Sequence, residues 1–267
     1  MKMPNIEDRH RKFIKHLTLG AGRILLMHYE SNIEMEMKSE INPVTIADRD
    51  SEDFIIGKIR KMFPTHSILA EETGEEIGKS DWLWVIDPLD GTTNYAHHYP
   101  AFCVSIALFY QERPVLGVVY HPLLKEFFYA ERGRGAFLND KPIRVSKVDM
   151  LGKAFLSTGF AYDVHETEED NVDNFRAFLK QSLAIRRGGS AALDLAYTAC
   201  GRLDGFWEMR LHPWDTAVGI LLVEEAGGRV STFNGSDFDI YNREILASNG
   251  LIHEQMIEVL KNRSQIK

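Results

Sequence analysis

The run Trp84-Val85-Ile86-Asp87-Pro88-Leu89-Asp90-Gly91-Thr92-Thr93-Asn94 passes from an apolar strand to a helical turn. Pro88 lacks the amide a strand ladder needs, so the strand is expected to stop at Asp87. Asp90 then stands where its carboxylate can accept from the amides of the ensuing turn. Gly91 permits close backbone approach, and outward-facing amides of Gly91 and Thr92 at a helix start favour a phosphate dianion. Carboxylates beside anion-binding amides need a cation between them. A divalent ion with positions open to phosphate and water meets that need. An ordinary Asp-Pro turn capped by a second Asp explains parts of this string, but not all of D-P-x-D-G-T together.

Two other acidic groups sit at comparable places. Ser67–Ala70 reads as a buried strand, and Glu71 and Glu72 follow it, facing opposite sides if the strand persists. Asp215 opens an apolar helix over 215–226 that Gly227 and Gly228 close, which makes it the expected N-cap. Taken alone, Asp215 is as well explained by capping, and the Glu pair by a solvated loop. Gly188-Gly189-Ser190 reads equally well as a ligand loop or as a plain helix start.

Outward from these strings, helical and strand patterns alternate with loops. Phe13, Ile14, Leu17, Ala21, Ile24 and Leu25 recur at helical spacing over 6–29, with His10, Arg11, Lys15 and Arg23 off the stripe. A second helix over 48–63 ends at Pro64. The polar segment 31–47 between them follows neither period and reads as a loop. Short apolar runs at 67–70, 83–86, 102–110, 115–120, 126–130 and 143–145 predict a central sheet. Beyond about 146, strands at 154–157, 185, 205–208, 230–232 and 245–248 alternate with helices over 172–182, 191–200 and 215–226. The expected organisation is an α+β part, residues 1–145, and an α/β part, residues 146–267, that completes the site.

Composition excludes several classes. In 267 residues, 31 basic against 39 acidic groups give a net charge of −8 and no cationic footprint for a nucleic-acid backbone. Cys103 and Cys200, without a CxxC spacing, supply neither a zinc site nor a disulfide framework and point to a reducing, cytoplasmic compartment. No stretch approaches the roughly 18 apolar residues of a spanning helix, and the charged N-terminus lacks the apolar run of a secretion signal. Gly74–Ser80 imitates a P-loop, but Thr73 stands where glycine is needed and its carboxylates repel phosphate. His97 and His98 lack a partner at metal-ligand spacing. Neither cysteine has an arginine six positions later, so a thiolate-phosphate mechanism lacks its basis.

Glu71-Glu72-Thr73, the Asp87–Asn94 run and Trp214-Asp215, with Gly219 and the Glu224-to-Gly228 tail, together resemble the inositol monophosphatase family of magnesium-dependent, lithium-sensitive phosphatases. The similarity extends from Val44-Thr45-Ile46-Ala47-Asp48 to about Gly228. It implies an αβαβα sandwich of alternating helix and sheet layers, a homodimer, and an active site between the two parts of the chain. By position, the resemblance makes Glu71, Asp87 and the Leu89 carbonyl ligands of one Mg²⁺, and Asp87, Asp90 and Asp215 ligands of a second. Glu72 assists a weaker third. Thr92 and Asp48 orient and deprotonate the attacking water, and the Gly91 and Thr92 amides hold the phosphate. Asp90, Gly189, Ser190, Ala191 and Glu208 meet the hydroxyls of the leaving group. Asn42 departs from the family's usual acidic residue there, which concerns the third metal.

The implied activity is hydrolysis of inositol 1-phosphate or a related sugar or polyol phosphate. Relatives with the same metal core take fructose 1,6-bisphosphate, histidinol phosphate, NADP or 3′-phosphoadenosine 5′-phosphate, and Arg186 and Arg187 are positioned either to meet a second phosphate or to end a strand in solvent. Some bacterial relatives also serve as protein partners in transcription.

Overall fold

The computed structural model describes residues 6–30, 35–37, 43–167 and 170–262. Asn42 lies outside them. The chain begins with α1 (Asp8–Tyr29), a short hairpin of β1 (Met35–Met37) and β2 (Pro43–Thr45), and α2 (Ile46–Met62). Next come β3 (Ser67–Ala70), β4 (Gly74–Glu76), β5 (Trp82–Asp90), α3 (Thr92–Ala96), β6 (Cys103–Tyr110), β7 (Arg113–His121), β8 (Glu126–Glu131), β9 (Gly135–Leu138) and β10 (Lys141–Pro142). These eight strands form one sheet in the order β10-β9-β8-β7-β6-β5-β3-β4, antiparallel except for β3 beside β5. The remainder supplies β11 (Phe155–Thr158), α4 (Val172–Leu179), β12 (Ala184–Arg186), α5 (Ala191–Ala199), β13 (Gly205–Met209), α6 (Pro213–Glu225), β14 (Arg229–Ser231), β15 (Glu244–Ser248) and α7 (His253–Lys261). Its five strands are ordered β12-β11-β13-β15-β14.

The strands alternate between two cores with period two. In β6, Val104, Ile106 and Leu108 pack with α1 and α2, while Cys103, Ala107 and Phe109 face α5 and α6. In the second sheet, Phe206, Ile245 and Ala247 face α5 and α6, whereas Trp207 and Leu246 turn to α4 and α7. The layers therefore run α1/α2, large sheet, α5/α6, small sheet, α4/α7, the five-layer α+β arrangement that the resemblance implies. Sandwiched between two sheets, α6 is buried continuously from Thr216 to Val223 rather than along one stripe. Gly219 lets α5 come close, since a Cβ there would lie 2.3 Å from Leu195 Cδ1. Among the described residues no helix is long and apolar enough to cross a membrane.

Several expectations need correction. Segment 31–47 carries the β1–β2 hairpin, and α2 starts at Ile46, which puts Asp48 at its third position under a Thr45 cap. β5 continues through Pro88 to Asp90 because a bulge falls there: Asp87 pairs with Ser105 and Asp90 with Cys103, so the proline sits where no ladder bond is required. Ile143–Val145 is not a strand. The β10 ladder ends at Pro142, after which the Ile143 amide bonds the Ala136 carbonyl and the Val145 amide the Ala226 carbonyl. His10 is buried, its ring stacked 5.0 Å from Phe63. The P-loop imitation is β4, an edge strand antiparallel to β3.

Candidate active site

A cavity of about 500 Å³ opens where β5 ends, lined by Glu71, Asp87, Leu89, Asp90, Gly91 and Thr92 from the first part of the chain. Gly189, Ser190, Ala191, Glu208 and Asp215 reach the same cavity from the second. Asp48 lies behind Thr92. Glu72 is absent from the lining. Its amide instead donates to Glu52 Oε2 at 2.9 Å, and the Thr73 amide to Glu52 Oε1 at 2.8 Å. The buried Glu52 thus braces the turn that aims Glu71 inward, a role the sequence did not suggest.

The bulge leaves Asp87 and Asp90 side by side on β5. Asp87 Oδ1 accepts from the Leu89 amide at 3.0 Å. Asp90, expected to accept from its own turn, reaches the start of a distant helix instead: its Oδ2 accepts from Ser190 Oγ, the cap of α5, at 2.6 Å and from the Ala192 amide at 2.7 Å. Gly91 then turns the chain with φ 93°, and a Cβ there would lie 2.8 Å from the Ala101 carbonyl, so only glycine fits. Asn94 ties this turn to the second part, donating from Nδ2 to Ala101 O at 2.8 Å and Gly188 O at 2.9 Å. Thr92 Oγ1 lies 3.1 Å from both Asp48 Oδ1 and Leu89 O, and its single proton serves one of them at a time.

Asp215 is not the N-cap of α6. Pro213 occupies the first helical position, His212 is the cap, and Asp215 at the third position accepts the His212 amide through Oδ2 at 2.6 Å. Glu208 is buried rather than solvated, and its carboxylate lies over Gly159, where a Cβ would stand 2.2 Å from Oε1. Gly159 and the neighbouring wall of Phe160 and Tyr162 escaped sequence reasoning, since a steric cradle formed across a sheet leaves no local pattern. His97 and His98 are not in the cavity lining. Arg187 does reach it, while Arg186 lies over the Phe155 ring.

The electrostatics are those of crowded acids. Burial, then the charges of Glu71, Asp90 and Asp215, pushes the Asp87 carboxyl well above its usual range. Burial raises Asp90 to about 6 even against its Ser190 and Ala192 bonds. Burial raises Asp48 to about 7, opposed by hydrogen bonds from the Thr45 hydroxyl and amide. Asp215 at the cavity wall and Glu208 are pushed up by desolvation and by neighbouring carboxylates. Among the described residues, no three His, Cys, Asp or Glu side chains close into a finished cage. Yet in Asp87, Asp90 and Asp215 the described hydrogen bonds engage one oxygen and leave the other for the cavity. Hard, anionic oxygens converging in this way suit a divalent cation of the Mg²⁺ type.

Comparison with known proteins agrees with this geometry. The sequence pattern of the inositol monophosphatase family matches residues 7–265. An inositol-1-monophosphatase of Synechocystis is 49% identical over 219 residues, 81% of this chain and 76% of its own. A protein of Pseudomonas aeruginosa named Nus factor SuhB is 48% identical over 239 residues, 86% of this chain and 88% of its own. Among solved structures, the inositol monophosphatase of Anabaena superposes with a TM-score of 0.86 at 43% identity, covering 94% of each chain. The Thermotoga maritima inositol monophosphatase gives 0.87 at 38% identity, covering 97% of this chain and 99% of its own. The chain belongs to the inositol monophosphatase family and is a phosphatase, a hydrolase of phosphate esters. Phosphorylated sugars and polyols are the substrates of that family, whose members are generally Mg²⁺-dependent.

Proposed function

We propose that the chain is a Mg²⁺-dependent phosphomonoesterase for inositol 1-phosphate or a related polyol phosphate, acting by direct attack of water. The observation that carries this reading is the gathering of Glu71, Asp87, Asp90 and Asp215 in one cavity beside the Gly91–Thr92 amides. Glu71, Asp87 and the Leu89 carbonyl would hold one ion, and Asp87, Asp90 and Asp215 a second, with Glu72 near a weaker third. When bound, such ions supply the charge that binds phosphate, acidifies water and stabilises the leaving alkoxide.

The chain's own residues do the rest. The Thr92 hydroxyl accepts the water proton as it passes its own to Asp48 Oδ1, whose burial-raised carboxyl of about 7 suits a base at neutral pH. The resulting hydroxide oxygen bonds to phosphorus, the ester P–O bond opposite it breaks, and the leaving alkoxide takes a proton from water and departs as the alcohol. The Gly91 and Thr92 amides hold the phosphoryl oxygens. Asp90, Ala191 and Glu208, with the Gly189–Ser190 turn, line the space where the alcohol's hydroxyls would lie. No covalent phosphoenzyme is required.

The reading includes a two-part chain divided near 145/146, a homodimer, a cytoplasmic setting and inhibition by Li⁺. Fructose 1,6-bisphosphate, histidinol phosphate, NADP and 3′-phosphoadenosine 5′-phosphate are the competing substrates. A second role as a protein partner in transcription is favoured by one observation, the 48% identity to a protein named Nus factor. A panel of phosphomonoesters assayed for phosphate release with Mg²⁺ and with excess EDTA tests the activity. Turnover confined to Mg²⁺ is expected, and full turnover in EDTA refutes the metal reading.

A further inference from the structure

Ser190 stands among the residues expected to meet the substrate's hydroxyls, yet its own hydroxyl is already engaged. It is buried, it donates to Asp90 Oδ2 at 2.6 Å, and its oxygen accepts the Leu193 amide at 3.4 Å as the cap of α5. Its one proton cannot also be donated to a ligand, and Cys103 Sγ, 3.8 Å from the same oxygen, competes for what accepting capacity the Leu193 bond leaves. The rest of the segment is fixed to the same turn. Ala192 N reaches Asp90 Oδ2, while Asn94 Nδ2 reaches Gly188 O at 2.9 Å and Gly189 O at 3.3 Å. Gly189, at φ 77°, allows this approach, since a Cβ there would lie 3.0 Å from Asn94 Nδ2. Residues 188–192 therefore grip both ends of the Gly91–Thr93 turn, at Asp90 before it and at Asn94 after it.

We propose that Ser190 is a positioning residue that acts through Asp90, not a substrate contact. Its hydroxyl locks Oδ2 so that Oδ1 faces the cavity with a fixed direction. This assignment rests on the proposed phosphatase site, in which Asp90 serves the metal. Partners one step removed from a ligand set its orientation, and losing one costs metal affinity or activity by about 10- to 100-fold.

Replacing Ser190 by Gly removes the hydroxyl yet keeps a tolerable helix cap, whereas Ala removes both and Thr keeps both. Three readouts on each variant separate the roles: Mg²⁺ affinity from the Mg²⁺-dependent rise in melting temperature, and kcat and KM on both p-nitrophenyl phosphate and inositol 1-phosphate. Ser190→Gly should bind Mg²⁺ about ten-fold more weakly and lose kcat to a similar degree on both substrates, with Ser190→Thr restoring each. A raised KM for inositol 1-phosphate alone, with Mg²⁺ affinity unchanged, overturns the proposal in favour of substrate contact. A wild-type-like Gly variant beside an impaired Ala variant overturns it in favour of capping alone. If the wild-type protein turns over neither ester, the proposed activity fails, and the Mg²⁺ titration still decides whether Ser190 governs the cation site.

Discussion

Asp215→Asn separates the bond by which Asp215 secures the His212 cap amide from metal binding, because the two roles predict different consequences. Asp215 Oδ2 accepts the His212 amide at 2.6 Å, and the Asn carbonyl oxygen can accept that same bond, so the start of α6 is preserved. The substitution also removes a negative charge that burial and the charge of Asp90 disfavour. A carboxyl pushed upward in the folded state costs stability at neutral pH, where the unfolded chain holds it ionised without penalty. In metal-free buffer the melting temperature should therefore hold or rise. Loss of the cap would do the reverse: about 1 kcal/mol, or roughly 2–4 °C for a chain of this size. Losing one ligand of an ion that contributes several kcal/mol to the transition state should lower kcat by about a hundred-fold or more. Differential scanning fluorimetry in EDTA and phosphate release in Mg²⁺ read the two effects independently. Near wild-type turnover would refute the ligand role, and a drop of several degrees in EDTA would show that the cap had not survived.

Glu208→Gln should lower kcat/KM for inositol 1-phosphate by about ten- to a hundred-fold, the worth of a charge-assisted hydrogen bond, and affect p-nitrophenyl phosphate much less. Equal losses on the two substrates would place Glu208 with the metal or the fold. His253 predicts an acid limit to stability: it is buried between Ser231 Oγ and Ser248 Oγ, each at 2.8 Å, and burial holds its imidazole down to about 4. Since the unfolded ring takes up its proton near 6.5, this stabilisation is complete above that pH and is lost as pH falls toward 4. The melting temperature of His253→Asn should accordingly depend less on pH in that window than that of the wild type, and parallel profiles would contradict the assignment.

What the sequence made legible was whatever is set by a few covalently linked residues. The Trp84–Asn94 run specifies a strand, a glycine that permits close backbone approach and a helical turn in order, and the apolar run of α6 is closed by Gly227 and Gly228. Errors arose where a local rule met a longer-range constraint. By local rule Pro88 ends β5, but the bulge between Asp87 and Asp90 removes the ladder bond that Pro88 cannot make. Local geometry offers Asp90 the amides of its own turn, whereas its carboxylate accepts from the Ser190 hydroxyl and the Ala192 amide at the start of α5, a hundred residues away. Pro213, favoured at the first helical position, was a signal that could have moved Asp215 from cap to third residue. For Gly159 beneath Glu208 and Glu52 beneath the Glu71 turn no such signal exists, since each is defined only once its sheet is assembled. α7, which buries Met256, Ile257 and Leu260 against the small sheet, went unread as well.

The position of the cavity follows from how the layers meet. Asp48 is the third residue of α2, Thr92 the first of α3, Ser190 the cap of α5 and Asp215 the third residue of α6. Four helices thus begin at one place, and each brings one residue of the proposed site at its cap or in its first turn. Helix starts carry partial positive charge and unpaired amides, which stabilise nearby anions. In Asp48, Asp90 and Asp215 a hydrogen bond from such a backbone amide takes up one carboxylate oxygen. Acids that would otherwise repel one another are in this way tolerated in the folded chain, with Asp90 and Asp215 lining the cavity and the remaining oxygen of Asp48 meeting the Thr92 hydroxyl. The same arrangement explains why the proposed site needs both sheets: β5 and α3 bring the turn proposed to hold phosphate, and α5 and α6, held between the sheets, bring the amides and the carboxylate that would complete it.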